Sequence, residues 1–445
     1  MRRPSLAYNP TSCCSYFSFS FFSFLNFSFQ LFLTVRLAVI THAFPPSRHA
    51  NGKRPYYLAK AFMEAGWEVD VFTSNLGCDS EFEEMLSVEQ LRVFRVSDPV
   101  VNLLEKLKSI SFLYRIGVSA ASMFMWPDFY SLWSRRVMKR MKREAEYDRV
   151  LAFIFPSSVY LNAKMGFVND SWTFDLQESV TPQYKVVPRR SPLQKFKLPQ
   201  LVELEKKALH QAGHVVYTAN TNRQSYIKHG LVFAENAEHI PYFYDARVFE
   251  QEAPEIAPNF QIVYFGTFDW QGSRSPKVFF NALALFLKNN PNARSKTKFV
   301  FYGMWLAEHD VLIDELGLGD VVDIRDAVPY NEYLEKVRSA PVLLLVISVE
   351  HNLFMPSKIV DYFGASRPIL AFVPNGSEMR QVLEEAGMAE QAVDEADIEG
   401  GVKALELLWL RYQSGALGDL ASNTEFWSSD VQIPRYVEML NLGGQ

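Results

Sequence analysis

The chain has 445 residues, too many for one small core, and the usual span of a domain divides it into two large units. Hydrophobic residues at 48% with 21% charged residues suit a packed protein and exclude long disordered stretches, while a net charge of -5 excludes a nucleic-acid binder that works through bulk positive charge. Three cysteines and eight scattered histidines supply neither a disulfide framework nor a metal-ligand spacing, so a reducing compartment and no metal are expected.

Residues 1–34 stand apart from the rest. "MRR" leads into a Phe-Ser alternation that has the apolar content of a signal or anchor, but serines interrupt the run and no small-x-small cleavage site follows. Three readings stay open: a start placed upstream of a true initiator at Val35, a signal or membrane anchor, and a disordered tail. The first is preferred, because "VRLAVITHAFPP" reads as the opening strand of a cytosolic enzyme.

From Val35 short β-branched runs alternate with stretches of helical length. "VRLAVIT", "WEVDVFT", "LRVFRV", "RVLAFIF", "SWTFDL" and "HVVYTA" predict strands, and "RPYYLAKAFMEAG" and "SPLQKFKLPQLVELEKKALHQAG" predict helices closed by a C-cap glycine. Near-continuous apolar strands separated by helices imply a parallel sheet covered on both faces. The pattern restarts at "FQIVYFGTF" and continues through "TKFVFYG", "VVDIRDA", "PVLLLVIS" and "PILAFV", with helices between. Two Rossmann-like, doubly wound α/β domains are therefore expected, over 35–244 and 260–425. The acidic, aperiodic stretch 245–259 serves as linker, and 426–445 forms a C-terminal helix.

Two such domains set the C-terminal edges of both sheets across one cleft, where ligands of doubly wound sheets bind. In the loop after the first strand, Gly52 stands just before a helix whose bare amides suit an anion, although an ordinary turn glycine fits equally. In "GTFDWQGSRSPK" Gly266 permits close backbone approach, and Arg274 and Lys277 stand at the start of a helix, where the dipole favours no cation unless an anion binds. In "MPSKIVDYFG" Pro356 fits a first helical turn, and Lys358 and Asp361 share one face. The lysine suits phosphate oxygens and the carboxylate suits both hydroxyls of a ribose; the plainer alternative is an exposed ion pair.

Taken in order, "THAFPPSRHANGKRPYYLAKAFMEAGWEVDVFTS", "HIPYFYDARVF", "VYFGTF" and "MPSKIVDYFGASRPILA" resemble the retaining glycosyltransferases of family four, which have the GT-B fold. The resemblance runs from Val35 almost to the C-terminus. It implies that Asp361 takes the place of the glutamate that binds the donor ribose in the family's "PxKxxEY", one methylene shorter. It puts Leu353 where a sugar-contacting acid stands in other members, with Glu350 and His351 nearby. "YDRVLAFIFPSSVYLNAK" and "WTFDLQESVTP" resemble a further pair of family segments, with Gln177 and Glu178 in place of an Arg-Asp pair. Asp175 and Glu178 are accordingly the candidates on the catalytic and acceptor side.

The same resemblance implies a nucleotide-diphosphate sugar held by amides and cations without a metal or other cofactor. Arg274, Lys277 or Lys358 would steady the leaving diphosphate. The acceptor would be a glycan or a lipid-linked sugar of cell-surface polysaccharide or glycolipid synthesis, at the cytoplasmic face of the plasma membrane. Residues 126–143, where Trp126, Phe129, Tyr130 and Trp133 precede six cations, suit contact with an anionic membrane, although aromatics in the core beside a solvated basic face fit as well. Two other functions stay open: a GT-B sugar-nucleotide epimerase, and a non-catalytic glycosyltransferase-like partner in an assembly complex.

Overall fold

A computed structural model describes residues 34–45, 50–75, 91–177, 192–252, 254–269, 274–348, 355–418 and 423–442. Glu178, Glu350, His351 and Leu353 lie outside the described residues. The first sheet comprises β1 (Arg36–Ile40), β2 (Glu68–Ser74), β3 (Arg92–Val96), β4 (Arg149–Phe153), β5 (Trp172–Leu176), β6 (His214–Tyr217) and β7 (Ala237–His239), in the order β3-β2-β1-β4-β5-β6-β7. The second comprises β8 (Phe260–Thr267), β9 (Thr297–Met304), β10 (Val322–Arg325), β11 (Val342–Val346), β12 (Ile369–Phe372) and β13 (Ala392–Val393), in the order β10-β9-β8-β11-β12-β13. All pairings within both sheets are parallel. The two doubly wound domains expected from the alternation of strands and helices are both present.

The central strands divide their side chains between two cores because successive residues point to opposite faces. Leu37 and Val39 of β1 join one apolar cluster, and Ala38 and Ile40 join another on the opposite face. In the second sheet Ile262 and Tyr264 of β8 face one way with Leu344 of β11, while Val263 and Phe265 face the other way with Leu343 and Leu345. With both faces covered, apolar side chains dominate the central strands, and β11 reads VLLLV without interruption.

Val35–Gln445 forms one compact unit, and the chain passes between its two domains twice, side by side. Tyr244 N donates to Trp427 O, and Ser429 N donates to Tyr244 O. Beyond the second passage the helix Ser429–Leu442 returns to the first domain, where Tyr436, Met439 and Leu440 pack with Leu37, Val39 and Phe62. The stretch read as a linker holds a short helix, Ala246–Phe249, whose N-cap Asp245 accepts from Arg247 N. The helix after β11 begins at Lys358, so Pro356 precedes the N-cap Ser357 and accepts, through its carbonyl, from Ile359 N.

Candidate functional site

Strand order reverses between β1 and β4 in the first sheet and between β8 and β11 in the second, and the loops beyond these strand ends diverge to leave a crevice. Gly266 lies near the end of β8, and the segments after β1, β8 and β11 carry Gly52, Arg274, Lys277, Lys358 and Asp361. Gly266, the penultimate residue of β8, has φ +127, in the left-handed half of the map where glycine is favoured, and a Cβ added there would lie 3.8 Å from Lys358 Nζ. Lys358 donates to Phe265 O at 3.0 Å and lies 3.9 Å over the Tyr264 ring. Burial, with the nearby Arg274 charge adding to it, pulls the Lys358 ammonium down to about 7. Arg274 is itself exposed and paired with Asp269 at 3.4 Å. Lys277 is half-buried as the first residue of the helix Lys277–Asn289. Lys358 therefore lies beside a close-approach glycine with the Arg274 charge near it, and it regains its own charge most readily beside an anion.

One turn further along the helix Lys358–Gly364, Asp361 is buried and accepts from Tyr333 Oη at 2.9 Å. It also accepts from Lys53 Nζ of the first domain at 3.1 Å, and that ammonium lies 3.7 Å over the Tyr330 ring. Lys358 and Asp361 thus have separate partners. Lys53, Tyr57, Phe243, Tyr330, Ser357 and Asp361 are among the residues that line a pocket between the domains. None of Lys53, Tyr330 and Tyr333 stands out in the sequence. The only local signal is the i, i+3 spacing of the two tyrosines, which places them on one helical face.

Asp175 at the end of β5 is fully enclosed, and its carboxylate accepts from Arg54 Nε and from Tyr436 Oη, both at 2.9 Å. Burial pushes the Asp175 carboxyl up, and the Arg54 guanidinium opposes that. Arg54 also donates to the carbonyls of Pro241 and Ile240 and lines the interdomain pocket. Asp175 therefore meets the cleft through Arg54. Gly52 ends a 3-10 turn against the loop after β1, where an added Cβ would come to 3.4 Å from Ala43 C and Phe44 N.

At the same edge of the first sheet His42 Nε2 lies 3.3 Å from Asp98 Oδ2, and both residues are buried. The rings of Tyr130 and Trp133 pack edge-on to His42 at 4.5 and 4.9 Å. This corrects the reading of 126–143 as an aromatic membrane contact: Trp133 is fully buried in the first domain's core and Trp126 packs against that core. The cations Arg135, Arg136, Lys139 and Arg143 do remain on the surface. Asp128 accepts from the backbone N–H of Tyr130 and of Ser158, and burial pushes its carboxyl up to about 6.

No protein-family model matches the chain, and neither does any curated protein. Solved structures do match over nearly its whole length. A sucrose-phosphate synthase from Thermosynechococcus elongatus aligns at TM-score 0.60 and 15% identity, over 92% of this chain and 98% of that one. WaaG, a glycosyltransferase involved in lipopolysaccharide biosynthesis, aligns at TM-score 0.60 and 14% identity, over 92% of this chain and 100% of that one. A trehalose-6-phosphate structure from E. coli, bound with UDP-2-fluoro glucose, aligns at TM-score 0.55 and 12% identity, over 92% of this chain and 95% of that one. The fold is GT-B, as the resemblance in the sequence implies.

Proposed function

We propose that the chain is a glycosyltransferase that moves a sugar from a nucleotide-diphosphate donor to a glycan or lipid-linked acceptor, with retention of configuration as in family four. The observation that carries this reading is the convergence of Gly266, Lys358 and Asp361 at the strand-order reversal of the second domain in a GT-B fold. The donor diphosphate would lie against the backbone at Gly266, with Lys358 and Arg274 taking up negative charge as the bond to the anomeric carbon breaks. The ribose hydroxyls would donate to Asp361 after Lys53 swings away, and Tyr333 would hold the carboxylate in place throughout. In this scheme Asp175 is a positioning residue, acting through Arg54.

The resemblance to family four and the absence of a needed metal in that family support a metal-independent reaction. Cell-surface polysaccharide or glycolipid synthesis at the cytoplasmic face of the plasma membrane is the setting that agrees with a lipid-linked acceptor.

Thermal stabilisation by UDP, GDP, ADP and their sugar conjugates tests donor binding, with Asp361→Ala and Lys358→Ala measured alongside. A ligand at a hundred times its dissociation constant adds about 2.7 kcal/mol, which a melting curve resolves. One nucleotide should stabilise the protein, and Asp361→Ala should remove the shift. Release of free nucleotide diphosphate in the presence of acceptor then separates transfer from epimerisation, which yields an isomer. A folded protein stabilised by none of these ligands would overturn the reading in favour of a non-catalytic partner.

A further inference from the structure

Between β3 and the basic helix Ser131–Glu144 the chain forms two further helices, Pro99–Leu107 and Ser111–Phe124. The second is apolar in composition, yet not one of its fourteen residues is buried. Phe112 is 71% exposed and Phe124 83%, and Leu113, Ile116 and Met123 are exposed beside them. At about 100° per residue, Phe112, Ile116 and Met123 fall in one stripe, with Leu113 and Phe124 along its flank. Leu103 and Ile110 extend the stripe onto the first helix and the connecting turn.

The arrangement is held in place by specific packing. Leu104 is the buried residue of the first helix, and it approaches Gly117 so closely that an added Cβ would lie 2.9 Å from its Cδ2. Lys197 Nζ donates to the carbonyls of Ser122, Met123 and Met125, which closes the end of the second helix. Leu104 of the first helix and the half-buried Gly117, Ala120 and Ala121 of the second thus face inward and the large apolar residues face solvent, the reverse of a helix that serves a core.

Charge selects the occupant of this face. Residues 99–144 carry nine Lys or Arg against three Asp or Glu, in a chain whose net charge is -5. Lys106, Lys108 and Arg115 rim the apolar stripe, and Arg135, Lys139 and Arg143 are exposed on the adjoining basic helix. A second copy docked through a twofold axis would set these cations against their own images, which disfavours a dimer. An anionic bilayer meets both needs, since it takes up apolar side chains and attracts the cations around them. Among the described residues no helix is long and apolar enough to cross a membrane, so the contact lies along the surface.

We propose that the paired helices Pro99–Leu107 and Ser111–Phe124 lie in the headgroup layer of an anionic bilayer, with Phe112 and Phe124 inserted and the neighbouring Lys and Arg on lipid phosphates. Asp98, which caps the first helix, sits against His42 just beyond β1, so the pair leaves from the sheet edge that faces the cleft. Docking would hold that edge at the surface where a lipid-linked acceptor is presented, and only this last step rests on the transfer reading.

The test is flotation of the full chain with vesicles of phosphatidylcholine, with and without phosphatidylglycerol, and no donor present. The wild type should float with the anionic vesicles and release as salt rises. Phe112→Ser with Phe124→Ser should weaken binding by about tenfold or more. Lys139→Glu with Arg143→Glu should weaken it by about fivefold for each cation removed and flatten the salt dependence. Melting temperature and nucleotide binding should be unchanged in both variants, so failure here and failure of donor binding are read separately. Wild type that stays with neither vesicle overturns the proposal, and so do Phe variants that bind as wild type does. A dimer in sedimentation that the Phe variants dissolve would give the face to a second copy instead.

Discussion

The carboxylate of Glu378, in the second domain, accepts from the backbone N–H of Thr221 at 2.7 Å and from that residue's hydroxyl, in the first domain. Its other oxygen accepts from Asn220 N at 2.6 Å. Helix Asn220–Lys228 has no side-chain cap from its own N-cap residue, Ala219, so its orphan amides are satisfied from across the cleft. Charge-assisted bonds of this kind at a half-buried site are worth about 2 kcal/mol together, after allowance for solvent. Glu378→Ala should lower the melting temperature by that measure, with Glu378→Gln between the two because it keeps one acceptor oxygen. An unchanged melt in both would mean that the cap contributes nothing to domain closure.

Lys53 and Asp361 make the opposite kind of contact, one that donor binding must break. Lys53 is one-third exposed and Asp361 nearly enclosed, so the pair is worth about 1 kcal/mol. Lys53→Ala should therefore tighten nucleotide binding by up to about fivefold, since the carboxylate is left free for the ribose. Asp361→Ala should abolish it. Isothermal titration with the stabilising nucleotide measures both. Equal loss in the two variants would make Lys53 a ligand of the donor rather than its competitor.

Lys358 predicts how the site responds to pH. Its folded value near 7 lies below its ordinary 10.5, so between these limits the unfolded chain holds a proton that the folded chain has released. Stability of the unliganded protein then rises as pH increases from about 7 towards 10.5, and below 7 the contribution is constant because both states are protonated. A bound diphosphate reverses the preference by favouring the charged amine. Binding at pH 8 should take up a proton, seen as a dependence of the calorimetric enthalpy on buffer, and affinity should fall as pH rises further. Lys358→Met should bind weakly with no proton uptake.

Much of this fold is legible in short runs, because burial on both faces of a sheet writes itself as unbroken apolar sequence. β11 is the clearest case, and the helix that ends at Gly66 with φ +88 is another. The same logic predicts a C-cap at Gly213. The structure uses it for close approach instead, since an added Cβ would overlap the Asp170 carbonyl oxygen. β7 and β13 have three and two residues, too few for any periodicity to register. In the cleft, Lys358 and Asp361 lie in a recognisable helix start, whereas Lys53, Tyr330 and Tyr333 meet through contacts between domains that have no local pattern. Trp133 shows the converse limit: aromatic and basic residues mixed in one helix do not reveal which of them face the core.

Asp175 allows a structural role to be separated from a chemical one. Its partner Arg54 is buried and joins three parts of the chain through Asp175, the Ile240 and Pro241 carbonyls and, by way of Asp175, Tyr436 of the returning C-terminal helix. Burial lowers the Arg54 guanidinium, and Asp175, with Tyr436 and Tyr242, outweighs that, so the charge persists at every working pH. Asp175→Ala would strand this charge without its counterion at a cost of about 3 to 5 kcal/mol. Asp175→Asn, which keeps the shape and one acceptor oxygen, should cost about half as much. The expected result is a large fall in melting temperature and soluble yield for the alanine variant, a smaller fall for the asparagine variant, and donor binding retained by whatever fraction is folded. An alanine variant that melts like wild type yet transfers no sugar would place Asp175 among the reacting groups, with Arg54 relaying its charge to the pocket.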